Sequence, residues 1–67
     1  VNPAQRLLRW FATTHLSDDV GLIVEPFGLV AKAVADRTVG QQGETAVRKL
    51  IGAKDAAVRD YIEGKDS

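Results

Sequence analysis

The run from Ala46 to Ile62, AVRKLIGAKDAAVRDYI, is the strongest constraint on what this chain can fold into. At about 100° per residue, Val47, Leu50, Ile51, Val58, Tyr61 and Ile62 fall on one stripe, with Ala46, Ala53 and Ala57 on its flank. Arg48, Lys49, Asp55, Arg59, Asp60 and Glu63 take the opposite face. The segment is therefore an amphipathic helix with one anomaly, because Lys54 projects into the middle of the apolar stripe. An ammonium there needs a partner, since desolvating an unpaired charge is costly. Either Lys54 lays its methylenes along the core and carries its head to water or to a carboxylate of a neighbouring helix, or it holds an anion such as a phosphate at a helix interface.

The rest of the chain reads as helices that pack on this one. Thr38 to Gly43, with two glycines among polar residues, separates two periodic segments and predicts the turn of a helical hairpin. The third helix then spans about residues 42–63, with Gly64 as its stop and Lys65, Asp66 and Ser67 fraying. Ahead of the turn, a second helix is predicted over about residues 18–37. Ser17 or Asp18 caps it, and Asp18 and Asp19 suit its positive end. Pro26 lies inside this helix, where it removes one backbone bond and predicts a bend near Leu22 to Glu25.

The second helix has two apolar faces. Val20, Ile23, Val24, Phe27, Val30, Ala31, Val34 and Ala35 form the main one, which fills the hairpin core; Leu22, Leu29 and Ala33 lie nearly opposite and need a second chain to cover them. Asn2-Pro3 starts a first helix over about residues 3–12, capped by Asn2 and carrying Leu7, Leu8 and Phe11 on one side. Trp10 lies off that stripe and is read first as packing against another chain or a neighbouring helix, with a base-stacking platform as the lesser alternative. The fold class is all-α: a short N-terminal helix and an antiparallel helical hairpin in one domain, assembled as a compact homo-oligomer.

Assembly is also what the size predicts, because a chain of 67 residues buries too little surface to be comfortable alone. Without cysteine it has no disulfides or thiolate sites, and its single His15 cannot build a metal site within one chain. No metal and no cofactor are expected. Nine basic and nine acidic residues cancel, which removes the usual footprint of a protein that grips duplex nucleic acid or an anionic membrane. No apolar run approaches a membrane span, and VNPAQRLLRW lacks the apolar centre of a signal peptide, so a soluble, cytoplasmic protein is expected.

Catalytic chemistry has little to stand on. His15 sits in the connection from Thr13 to Ser17 without an organised nucleophile, and Asp18-Asp19 is better explained as helix-start charge than as an acid and base pair. The chain is read as no enzyme. What remains is a set of cations, Arg48, Lys49, Lys54 and Arg59 on the third helix and Lys32 on the second, which could converge on a small anion when repeated around an oligomer. Arg48 and Arg59 are each placed to pair with Asp55, the latter at the better spacing.

RWF at Arg9 to Phe11, HL at His15-Leu16, PFGLVA at Pro26 to Ala31 and AVRKLIGAKDAAVR at Ala46 to Arg59 together make the chain resemble the phage anti-CBASS sponge family, small helical-hairpin proteins with actinophage and actinobacterial relatives. The resemblance covers roughly three quarters of the chain in one order. It implies a homo-oligomer, a hexamer, that binds cyclic dinucleotides in pockets between protomers, and in some members cyclic trinucleotides at separate sites, without cleaving either, and so blocks a bacterial CBASS-type defence. It places phosphate contacts at Arg48 and Lys49; with the reading of the residues, the candidate ligand contacts are Phe11, His15, Arg48, Lys49 and Lys54, and the oligomer interface is read at Trp10, Leu22, Leu29 and Ala33. Where better-known members carry a base-stacking tyrosine shortly before the histidine, this chain has Thr13 and Thr14. The competing reading is a helical interaction protein, phage-encoded, that docks on a host protein and binds no nucleotide.

Overall fold

Asn2 opens the chain's first ordered turn in extended conformation, φ −79° and ψ 164°, and its carboxamide works in two directions. Oδ1 accepts from the Gln5 backbone at 2.8 Å, while the Gln5 side chain accepts from the Asn2 backbone at 3.2 Å, a reciprocal cap that starts helix α1, Pro3–Arg6. Nδ2 donates to the carbonyls of Thr38 and Ala35 at 2.9 and 3.3 Å, fastening the N-terminal segment to the far end of helix α2, Asp18–Arg37. This computed structural model describes residues 2–66, of Asp66 the backbone alone.

The first helix is split. After Arg6 the backbone tightens into a 3-10 helix, Leu7–Phe11, where the sequence period predicts a continuous α-helix to Ala12. Over so short a stretch the two windings, about 3.0 and 3.6 residues per turn, place the same apolar residues on nearly the same side.

Helix α2 packs antiparallel on helix α3, Gln41–Asp66, and the N-terminal segment is strapped along both. The middle of this arrangement is small. Ala4, Phe11, Val24, Ala31, Ala35 and Val47 are buried, and Leu7, Leu8, Leu16, Val20, Phe27, Val34, Leu50, Ile51 and Val58 pack around them half-covered. Val30, assigned by period to the core face, is exposed at 52%. Leu22 at 71%, Leu29 at 65% and Ala33 lie on the outside of α2, as the second apolar face requires for a single chain.

The hairpin turn is shorter than its glycines suggest, since only Thr38, Val39 and Gly40 separate the helices. Thr38 leaves α2 extended, φ −127° and ψ 151°, and its hydroxyl donates to the Val34 carbonyl at 2.9 Å. No described glycine has a positive φ. Gly43, buried in the first turn of α3, is needed for a different reason: a Cβ there would overlap Oγ1 and Cβ of Thr38. Nor does Gly64 stop α3, which continues through it to Asp66; the expected fraying of Ser67 lies outside the described residues. Among the described residues no helix is long and apolar enough to cross a membrane.

With a 42 Å long axis and a radius of gyration of 12.6 Å, the chain is more extended than the roughly 11 Å of a compact globule of its length. Its 4780 Å² of accessible surface likewise exceeds the roughly 4,100 Å² typical of a monomer of 7.2 kDa.

The glycines of α3 give opposite predictions. Gly43→Ala should destabilise by about 1–3 kcal/mol through the forced overlap with Thr38, and adding Thr38→Ala should recover most of the loss. Gly52→Ala, whose Cβ meets nothing within 4 Å, should stabilise by about 1 kcal/mol. Urea denaturation of the three variants checks this; equal effects at Gly43 and Gly52 would contradict the close approach at the turn.

Candidate functional site

Lys54 resolves the anomaly of the third helix. Its Nζ donates to the carbonyl oxygen of Trp10 at 2.9 Å and pairs with Asp55 Oδ1 at 2.8 Å, with 13% of the side chain exposed. It also lies 5.8 Å from the centroid of the Phe11 ring. The lysine spans the seam with its stem and caps the last turn of the 3-10 helix with its head, so its partners are a backbone carbonyl and the neighbouring carboxylate. Neither is the carboxylate of another helix that the snorkelling account supposes.

Around this contact lies an open groove of about 360 Å³, lined by Trp10, Ala12, His15, Leu16, Val20, Val24, Lys54, Asp55, Val58, Arg59 and Ile62. Besides Trp10 of the 3-10 helix, three parts of the chain build it. Lys54, Val58 and Ile62, with Asp55 and Arg59, recur every four residues along one edge of α3. Val20 and Val24 come from the first turns of α2, and Ala12, His15 and Leu16 from the connection that crosses between them. The floor is aliphatic and the rim carries an indole, an imidazole, an ammonium and a guanidinium against one carboxylate. Among the described residues, the side chains of His15 and Arg59 make no hydrogen bond or ion pair within the chain. They are the groups at this rim free to take a ligand.

The predicted ligand residues are thus only partly brought together. His15 and Lys54 share the groove. Phe11 is 7% exposed and belongs to the core, its Cβ so close to α2 that a Cβ built on Gly28 would lie 3.3 Å away; that packing leaves it no free face for a base. Arg48 pairs with Glu44 at 2.9 Å, not with Asp55, and lines a second groove of about 370 Å³ with Leu7, Trp10, Ile51 and Asp55. Lys49 is exposed on the outer face of α3. Lys32 is held by Asp36 at 2.8 Å. Arg59, which the resemblance does not single out, stands in the groove instead. Its membership of the cation set on the third helix is the sequence signal for this placement, whereas its four-residue spacing from Asp55 points to an ion pair that does not form.

Below the groove, a polar clasp joins the start of α2 to the end of α3. Ser17, the extended residue preceding α2, turns its hydroxyl to Asp19 Oδ1 at 2.7 Å instead of capping a backbone amide, and Val20 N donates to the same oxygen at 3.0 Å. Oδ2 of Asp19 accepts from the Tyr61 hydroxyl at 2.6 Å and from Lys65 Nζ at 3.1 Å. The Tyr61 hydroxyl, then Ser17 and Lys65, hold the Asp19 carboxyl well below the usual carboxylate range. The same bond raises the Tyr61 phenol, because ionising it would remove the donor and set a second anion beside Asp19. Asp19 likewise raises Lys65. Lys65 also lies over the Tyr61 ring, 5.5 Å from its centroid, which keeps α3 ordered past Gly64.

No protein-family model, no curated protein sequence and no solved structure matches this chain. Among the described residues no three of His, Cys, Asp and Glu gather in a way that would hold a metal ion.

The clasp has a readable pH dependence. Asp19, lowered in the folded chain, contributes stability above its ordinary value of 3.8 that is lost as the pH falls through the folded value; Tyr61, raised, contributes below 10.0 and loses it as the pH climbs through its own. Because Tyr61 is the single tyrosine, ultraviolet absorbance follows it alone. Its midpoint should lie above 10.0 in the parent and fall in Asp19→Asn, which removes the largest cause of the rise. An unchanged midpoint in the variant would contradict the clasp.

Proposed function

We propose that this chain is a non-enzymatic sponge for cyclic di- and trinucleotides, acting as a homo-oligomer in the bacterial cytoplasm to withhold the messenger of a CBASS-type antiphage defence. The observation that carries the reading is the groove beside Trp10, where His15, Lys54 and Arg59 surround an aliphatic floor. Apolar walls with a few placed cations suit a ligand that is part flat base and part phosphate. Among the described residues lining the groove there is no serine, threonine or cysteine for His15 to activate, which fits capture without cleavage.

The size of the groove bears on assembly. At about 360 Å³ it lies near the bottom of the usual range for small-molecule sites, roughly 300–1,000 Å³, and accommodates about one nucleotide unit. A cyclic dinucleotide needs more, so the remainder falls to a second chain. The exposed Leu22 and Leu29 offer a surface for such a contact. The same two residues also favour the second reading, docking on a host protein without nucleotide.

Retention followed by release separates these. The protein at micromolar concentration is mixed with limiting amounts of each of several cyclic di- and trinucleotides, filtered, then heat-denatured, and both fractions are chromatographed. The sponge depletes at least one ligand from the filtrate and returns it intact after denaturation. Ligands that all stay free, or a linear product in either fraction, would overturn the reading.

A further inference from the structure

Trp10 stands between the two grooves and contributes to the lining of both. Half of it is in contact with water, 52% exposed, whereas Phe11 beside it is buried. Its backbone is nevertheless fixed, because its carbonyl is the acceptor that Lys54 reaches across the seam to satisfy. The Arg9 guanidinium lies 5.2 Å from the indole centroid, and Arg9 lines neither groove. Arg9 thus occupies one face of the ring, and an anchored, half-exposed indole in the same groove as the Arg59 guanidinium, which makes no ion pair among the described residues, is organised for a flat ring that carries a negative charge.

Asp55 shows where that charge goes. Successive residues on a helix do not face each other, yet the Asp55 carboxylate is drawn round to the Lys54 ammonium. It is the sole acidic member of the groove lining and occupies a bonding position on Lys54 while its own side chain is half-exposed. We infer that Trp10 is the stacking residue of a nucleotide site in which the base lies on the indole and the phosphate sits between Arg59 and Lys54, displacing Asp55. This rests on the cyclic-oligonucleotide reading and assigns the platform to Trp10, which the amino-acid sequence places first at an oligomer interface and only second as a base platform. Stacking tolerates any base, so the site selects for a phosphate held at a fixed distance from a flat ring more than for base identity.

The single tryptophan makes the inference directly measurable. Selectively excited indole emission is followed during titration with cyclic di-AMP, cyclic di-GMP and cyclic AMP–GMP, with inorganic phosphate as the anion alone, and calorimetry is run in parallel. Saturable quenching by a cyclic dinucleotide and none by phosphate is expected. In calorimetry Trp10→Leu should lose about fivefold to a hundredfold in affinity and Arg59→Gln about tenfold to a hundredfold, while Asp55→Asn should bind more tightly. Melting curves confirm that the variants are folded, and if Trp10→Leu is not, the parent's quenching and the two exposed charge variants decide. Calorimetric binding with unchanged emission, or with full affinity in Trp10→Leu and Arg59→Gln, would overturn this placement and leave the sponge reading standing. No calorimetric heat with any of the three cyclic dinucleotides would overturn the placement together with the capture of dinucleotides.

Discussion

The seam between α2 and α3 is made of residues without bulk, and the rest of the structure follows from that. Ala31, Ala35 and Val47 are fully buried, Val24 nearly so, and Gly43 lies against Thr38 where no side chain fits. Small residues let two backbones come close, but they supply little apolar volume. At roughly 25 cal/mol per Å², a core whose largest fully buried side chains are valines offsets little of the conformational entropy of the chain. Larger side chains such as Leu7, Leu8, Phe27, Leu50 and Ile51 remain half-covered because the hairpin is too thin to enclose them.

The N-terminal strap supplies what the hairpin lacks. Asn2 fastens one end of it to Ala35 and Thr38, the Lys54 bond holds its 3-10 turn to α3, and Phe11 seals it against Gly28. At the other end of the hairpin, Asp19 collects Ser17, Tyr61 and Lys65. The groove is the gap left where the strap turns away from α3 to enter α2. Its cations stand at the rim because the helix edge that carries Lys54 and Arg59 also carries Val58 and Ile62, which form its wall.

Much of this was legible in order, because helix patterning is local. Ser17 to Asp19 and the recurrence of apolar residues place α2 on its observed span, Asn2-Pro3 predicts its cap, and Leu22 and Leu29 read as outward-facing. What was not legible depends on contacts distant in sequence. Gly64 looks like a stop until Lys65 finds Asp19, forty-six positions away. The period puts Phe11 on the apolar side and Trp10 off it, but only the approach of Gly28 shows that Phe11 keeps no free face for a ligand. Lys54 could be seen to need a partner, but a backbone carbonyl carries no sequence signal. Arg59 gave one and was assigned to an ion pair with Asp55 that Lys54 takes instead.

A thin core, an extended shape and leucines in water support the proposal that copies of this chain complete its fold, as the proposed sponge requires. Sedimentation equilibrium at micromolar concentration, read with the melting temperature over a hundredfold dilution, tests this most directly. The account predicts a mass that is a multiple of 7.2 kDa and a melting temperature that falls on dilution. A folded species of 7.2 kDa that melts at one temperature throughout would contradict it.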